Sequence, residues 1–215
     1  AGMDIHLATA AEVSGKHPDD VTDEERKMAK AINFGLIYGM SYRKLTIYAR
    51  DKYEVIITDN QSKQFRNRFF GKYSGLLPWH DRMRKLVAGE GRVRSPIGRI
   101  RRLPEIYSPD EGFRREAERQ AINSPVQGFA SDLKLMSLVE IDQEIDWKEC
   151  RIVGEVHDAI LGIVRKDRLD FYMKKIKSIM ENPALLKKFG VKIPFPIVAD
   201  VEIGPWGTKK RWVAK

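Results

Sequence analysis

Apolar residues recur every three to four positions through the first half of the chain, the spacing that gathers them on one face of a helix. Turn signals at Gly71, Ser74-Gly75, 89–91 and 95–98 interrupt the pattern. Up to about Tyr107 a mostly helical lobe is therefore predicted. Beyond Ser108-Pro109-Asp110, a long helical pattern broken at Pro125 gives way to a β-type run at 152–164, then to short helices and a closing strand near 197–203. That second half reads as α+β.

Two helix starts are marked by their chemistry. Thr22-Asp23-Glu24-Glu25 has the T-x-x-E form of a capping box, in which hydroxyl and carboxylate each satisfy a backbone amide, so a helix is predicted from there to Gly39. Ser124-Pro125 puts a capping residue before a proline at the first helical position. The pattern over 110–123 is therefore expected to stop there and a new helix to begin.

The chain has 215 residues, 42% of them hydrophobic, enough for one substantial domain or two lobes. Thirty-nine Lys and Arg against 30 Asp and Glu leave a net charge of +9, which favours a polyanionic partner without distinguishing nucleic acid from an acidic membrane surface. One cysteine, Cys150, excludes an internal disulfide and a zinc framework and fits a reducing compartment. The longest apolar runs are too short to span a bilayer, so a soluble, cytoplasmic protein with no membrane partner is expected.

Three constellations can carry chemistry. Arg26, Lys30, Phe34 and Tyr38 follow at intervals of four on the first predicted helix and share a slanted face. Two cations, a phenyl ring and a phenol in that order suit a nucleoside triphosphate, although an amphipathic helix with core aromatics and solvated cations has the same spacing. Arg119, Asn123 and Gln127 repeat the interval across Pro125; their hydrogen-bond donors suit the acceptors of the minor groove, or equally the capping of helix ends at the break. His157-Asp158, between two apolar β-prone segments, predicts a tight hairpin whose apical carboxylate suits Mg²⁺, or an ordinary turn.

Taken together, these strings resemble family A, polymerase I-like, DNA polymerases. Residues 26–39, with Arg26, Lys30, Phe34-Gly35 and Tyr38-Gly39, are similar to that family's motif B, R-x-x-x-K-x-x-x-F-G-x-x-Y-G, on the O helix of the fingers. Arg119 to Gln127 is similar to the helix that contacts primer-template, Val156-His157-Asp158 resembles motif C, and Asp4-Ile5-His6 resembles the segment whose His meets the incoming triphosphate. The order holds from residue 4 to about Trp206.

The resemblance implies part of a right-hand polymerase fold: α+β, with fingers over 1–107 and a palm over 108–215 built on an antiparallel sheet with packed helices. It implies a DNA-dependent DNA polymerase using two Mg²⁺ ions, primer-template DNA and deoxynucleoside triphosphates. His6, Arg26, Lys30, Phe34 and Tyr38 would bind nucleotide; Arg119, Asn123 and Gln127 would bind DNA. Asp158 would hold metal, and the catalytic group would be Asp158, Lys30 and His157. Two departures stand out: Ala159 replaces the usual Glu of motif C, and motif A, with the second metal-binding aspartate, is not found in residues 1–215. The expectation is a portion that needs an upstream segment in cis or trans and is inactive alone, in a bacterial or phage-infected cell. The alternatives are a non-catalytic DNA-binding remnant and a single-subunit RNA polymerase-like nucleotidyltransferase.

Overall fold

The computed structural model describes residues 4–205 and the short strand Lys210–Arg211; Trp206 lies outside the described residues. The chain divides into two compact units, Ala1–Val93 with Arg101–Asn123 and Arg94–Ile100 with Ser124–Lys215.

The first unit is helical. Asp4 caps α1 (Ile5–Ser14), accepting hydrogen bonds from the amides of His6 and Leu7. α2 (Asp23–Ile37) begins at the predicted capping box, with both reciprocal bonds between Thr22 and Glu25 present. It ends at Tyr38, and Gly39 follows at φ 80°, a conformation glycine adopts without the Cβ clash of other residues. α3 (Tyr42–Tyr53) is capped by Ser41, and α4 (Asp59–Lys72) by a second capping box, Thr58 with Gln61. The predicted 89–91 turn is made by the left-handed Gly91, whereas Gly71 and Gly89 sit in the last turns of α4 and of α5 (Leu76–Glu90). Nothing lies within 4 Å of a Cβ built at either, so neither glycine is needed for space.

α1 to α4 close over a core in which Val13, Ile32, Leu36, Leu45 and Phe69 are all at most 1% exposed. Burial of each such side chain is worth about 1.5–3 kcal/mol. A second cluster joins Met83 and Val87 of α5, Val93 of β1 (Arg92–Arg94), Leu103, and Ala117, Ala121 and Ile122 of α6 (Glu111–Glu144). His80 ties α5 to the end of α2, its buried ring 2.7 Å from the Ile37 carbonyl.

α6 overturns one expectation. It runs unbroken for 34 residues with Pro125 inside it, where the sequence predicts a stop and a new start. A proline within a helix forfeits a hydrogen bond and costs about 3 kcal/mol. Packing on both sides outweighs that: Ala117, Ala121 and Ile122 are anchored in the first unit's core, Ile141 and Ile145 in the second's. The same anchoring explains why the compact units divide within α6, between Asn123 and Ser124, whereas the sequence places a boundary after Tyr107.

In the second unit the predicted hairpin is present. β3 (Cys150–Val156) pairs antiparallel with β4 (Ala159–Val164), and Val156 faces Ala159 across a two-residue loop, His157-Asp158. Ile141, Ile145 and Cys150 pack against Tyr172, Met173 and Ile179 of α7 (Leu169–Glu181). The predicted strand at 197–203 shortens to β5 (Glu202–Ile203), paired with β6 (Lys210–Arg211). Pro194 and Pro196 precede it, and the Ala199 backbone is satisfied by α7 rather than by a strand, its amide donating to Glu181 and its carbonyl accepting from Lys177. The remaining strand pair, β1 with β2 (Ile100–Arg102), is short.

The 94–100 turn is held to α6 by charge. Asp132, 2% exposed, pairs with Arg99 and lies 3.4 Å from the Ser95 hydroxyl. The two partners are not equivalent, because the Arg99 side chain keeps 55% of its exposure. Removing Arg99 strands a buried carboxylate; removing Asp132 leaves a cation already half in water. Arg99→Ala is therefore expected to cost about 3 kcal/mol, the lower part of the range for breaking a buried pair, and Asp132→Ala clearly less. Chemical denaturation of the two variants measures the difference, and equal losses would refute the asymmetry.

Candidate nucleotide and nucleic-acid site

The predicted face of α2 is exposed as a unit: Arg26, Lys30 and Phe34 face solvent and Tyr38 is half-buried, while Ala29, Ala31, Ile32, Asn33 and Leu36 are buried beneath. Phe34 is 44% exposed and so is not a core aromatic of an ordinary amphipathic helix. α1 brings His6 to this face, its ring centroid 5.7 Å from that of Phe34.

The cations of this face differ in one respect. Arg26 is occupied, with its Nε and Nη2 at 3.1 and 2.9 Å from Asp4 Oδ2. Lys30 has no ion pair or hydrogen bond among the described residues. The backbone amide of Leu7, with Arg26 and the amide of His6, holds the Asp4 carboxyl below its ordinary value. Burial pulls the His6 imidazole below its ordinary value, and Arg26 and Lys30 push the same way against Asp4, so His6 is biased toward its neutral form.

Asn33 was invisible as a functional residue within the motif string. It is 1% exposed, and its amide reaches His6, Ile5 and Thr9. The available signal was an amide on the buried side of an amphipathic helix, which must find partners.

On α6, Arg119 is half-buried and paired with Glu116, three residues earlier. Asn123 Oδ1 is buried without a hydrogen-bond partner among the described residues, whereas Gln127 is exposed. These residues share the helix at intervals of four, with the break at Pro125 absent, so the reading of Asn123 and Gln127 as caps at a helix end loses its basis. Of the basic residues around β2, Arg99 is paired with Asp132, whereas Arg101 donates to the neutral Gln120 at 3.0 Å and keeps its charge.

In the second unit Asp158 stands exposed at the β3–β4 loop, its carboxylate without a partner among the described residues. The nearby Glu155 is committed to Lys134, 2.8 Å away and largely buried. No group of three acidic, His or Cys side chains in reach of one ion exists among the described residues. Asp158 thus fits one ligand position of a Mg²⁺ site and no more. A groove of about 300 Å³ in this unit, lined by Leu138, Val139, Asp142, Gln143, Trp147 and Ile152, is mostly apolar and includes none of these residues.

His157 has φ 54°, left-handed backbone that β-branched residues resist. His157→Val is expected to destabilise the protein by about 1–2 kcal/mol, and His157→Asn to be near neutral, by thermal denaturation. Equal stability of the two variants would show that the loop is not strained there.

A helical lobe with an exposed cation–aromatic helix, and a second unit carrying a carboxylate hairpin, together define a portion of an α+β polymerase fold. The chain belongs to DNA polymerase family A, whose sequence model matches residues 1–208. It is 35% identical over 204 residues to DNA polymerase I of Pseudomonas aeruginosa, covering 94% of this chain and 21% of that one. It is 33% identical over 207 residues to the DNA polymerase of Bacillus phage SP01, covering 95% and 22%. The chain therefore spans about a fifth of the length of these relatives. Among solved structures it is similar to the POL domain of Pol1 from M. smegmatis in complex with DNA primer-template and dNTP, with a TM-score of 0.78 at 27% identity over 91% of this chain and 32% of that one. No helix among the described residues is long and apolar enough to cross a membrane.

Proposed function

We propose that this chain is the fingers and palm portion of a DNA-dependent DNA polymerase, and that it binds the incoming deoxynucleoside triphosphate on the exposed face of α2. The observation that carries this reading is Lys30: a cation without an ion pair among the described residues, beside Arg26, a neutral-biased His6 and an exposed Phe34. Arg26 and Lys30 take the phosphates, Arg26 by exchanging Asp4 for a phosphate oxygen; His6 joins them, Phe34 covers the sugar, and Tyr38 sits toward the templating base. Arg119, Asn123 and Gln127 test the minor groove at the primer end, with Arg119 leaving Glu116 to do so. Support also comes from the similar M. smegmatis structure, whose partners are primer-template and dNTP.

Asp158 supplies one carboxylate to the metal centre, with His157 beside it. When bound, Mg²⁺ would stabilise charge on the attacking and leaving oxygens of nucleotidyl transfer. Template-directed extension then requires a second carboxylate from a segment bearing motif A, in cis or trans.

Isothermal titration of the 215-residue chain with dATP tests the nucleotide site. Binding that weakens as salt rises is expected, with no detectable binding of deoxyadenosine at the same concentrations. Equal affinity for the two would overturn the assignment of this face to phosphates.

A further inference from the structure

We infer that Asn33 is a positioning residue that locks His6 in the tautomer carrying its proton on Nε2, so that His6 meets a phosphate oxygen as a neutral hydrogen-bond donor. The ligand in this statement rests on the nucleotide site proposed above; the tautomer does not.

The argument turns on which end of the Asn33 amide is which. An Asn side chain fits its density or its pocket equally well in two orientations, and only its partners distinguish them. One end of Asn33 lies 3.3 Å from the backbone carbonyl of Ile5, which can only accept. That end must therefore be the NH₂. The same nitrogen lies 2.9 Å from His6 Nδ1, so Nδ1 must accept as well. A neutral imidazole that accepts at Nδ1 carries its hydrogen on Nε2. The other end agrees: the Thr9 hydroxyl donates to Asn33 Oδ1 at 2.9 Å, and because that spends its one hydrogen, the Tyr73 hydroxyl 3.1 Å away must donate to Thr9.

The result is a one-way chain of donors from Tyr73 through Thr9 and Asn33 to His6, joining α1, α2 and the end of α4. Thr9 and Asn33 are 0% and 1% exposed, so the bond between them is closed to water; flipping the Asn33 amide would set its oxygen against the Ile5 carbonyl, and a proton on His6 Nδ1 would face the Asn33 NH₂ donor to donor. A His held only by its own element would sample both tautomers. This one presents a donor, which a phosphate oxygen requires and a phosphate cannot supply for itself. Phe34, tilted against the ring, limits the remaining rotation.

The test is a two-bond ¹H–¹⁵N spectrum of the ¹⁵N-histidine-labelled 215-residue chain at pH 7.5, with His6 assigned by its loss in His6→Gln. The expected pattern is an unprotonated Nδ1 and a protonated Nε2. A protonated Nδ1, or an average over both tautomers, overturns the inference whatever the chain binds. In Asn33→Asp the partner becomes an acceptor and the His6 pattern is expected to shift toward a protonated Nδ1; Thr9→Val leaves the Ile5 carbonyl that orients the amide and is expected to keep the wild-type pattern. Titration with dATP then separates the two readings. With the tautomer as expected, a perturbed His6 resonance and a roughly tenfold or greater loss of dATP affinity in Asn33→Asp support the donor role. Wild-type affinity in Asn33→Asp, with its tautomer changed, overturns that role while leaving the nucleotide site standing. Absence of dATP binding by the wild-type chain overturns the nucleotide site itself, and with it the donor role.

Discussion

Lys30→Ala in a complete polymerase carrying this sequence is expected to lower kcat/KM for nucleotide incorporation by about tenfold to a hundredfold. Lys30 is exposed on α2 and makes no ion pair among the described residues. The charge is available to an anion. A charge-assisted hydrogen bond to phosphate contributes roughly 1.5–3 kcal/mol, which sets the range. Arg26→Ala is expected to do less, because Arg26 must first give up Asp4 and the net gain on binding is smaller. The melting temperature should hardly move, since surface changes of this kind stay within about 0.5 kcal/mol. Steady-state incorporation kinetics measure the ratio, and Lys30→Arg, which keeps the charge, should recover part of the loss. Efficiency within twofold of the parent in Lys30→Ala would mean that α2 does not bind the triphosphate.

Local chemistry was legible in the sequence where it is self-contained. The Thr22–Glu25 box starts α2 because its partners are three residues apart, and the His157-Asp158 loop follows from two apolar strands with two polar residues between them. The exposed face of α2 followed from a four-residue interval. What was not legible depends on residues distant in the chain. Pro125 reads as a helix start on propensity alone, and only the two cores that grip α6 on either side show why the helix continues. The 197–203 segment reads as a strand until Lys177 and Glu181 take its backbone groups. Asp4 reads as part of a motif, and the structure adds that it caps α1 and holds Arg26, 22 residues away in sequence. Asn33 belongs to the same class, since its partners Ile5, His6 and Thr9 all lie on α1, at least 24 residues away in sequence.

Asp158→Ala is expected to abolish primer extension in the complete polymerase, a loss of at least on the order of a hundredfold, while leaving duplex binding within twofold. The carboxylate stands at the apex of a two-residue hairpin loop, exposed, with no partner among the described residues. Its neighbours offer no substitute. Glu155 is held by Lys134, and position 159 is alanine, so removing Asp158 leaves no uncommitted carboxylate on the loop. Duplex affinity comes mainly from cations on phosphates, which this change does not touch and which weaken with salt in both proteins alike. Asp158→Asn keeps the size of the side chain and one acceptor oxygen but not its charge, and should be nearly as inactive as the alanine variant if the anion is what matters. Primer extension and filter binding on the same preparations read the two properties separately. Extension retained in Asp158→Asn would reduce the residue to a turn-former, and parallel losses of binding and extension would make the hairpin part of the DNA grip instead.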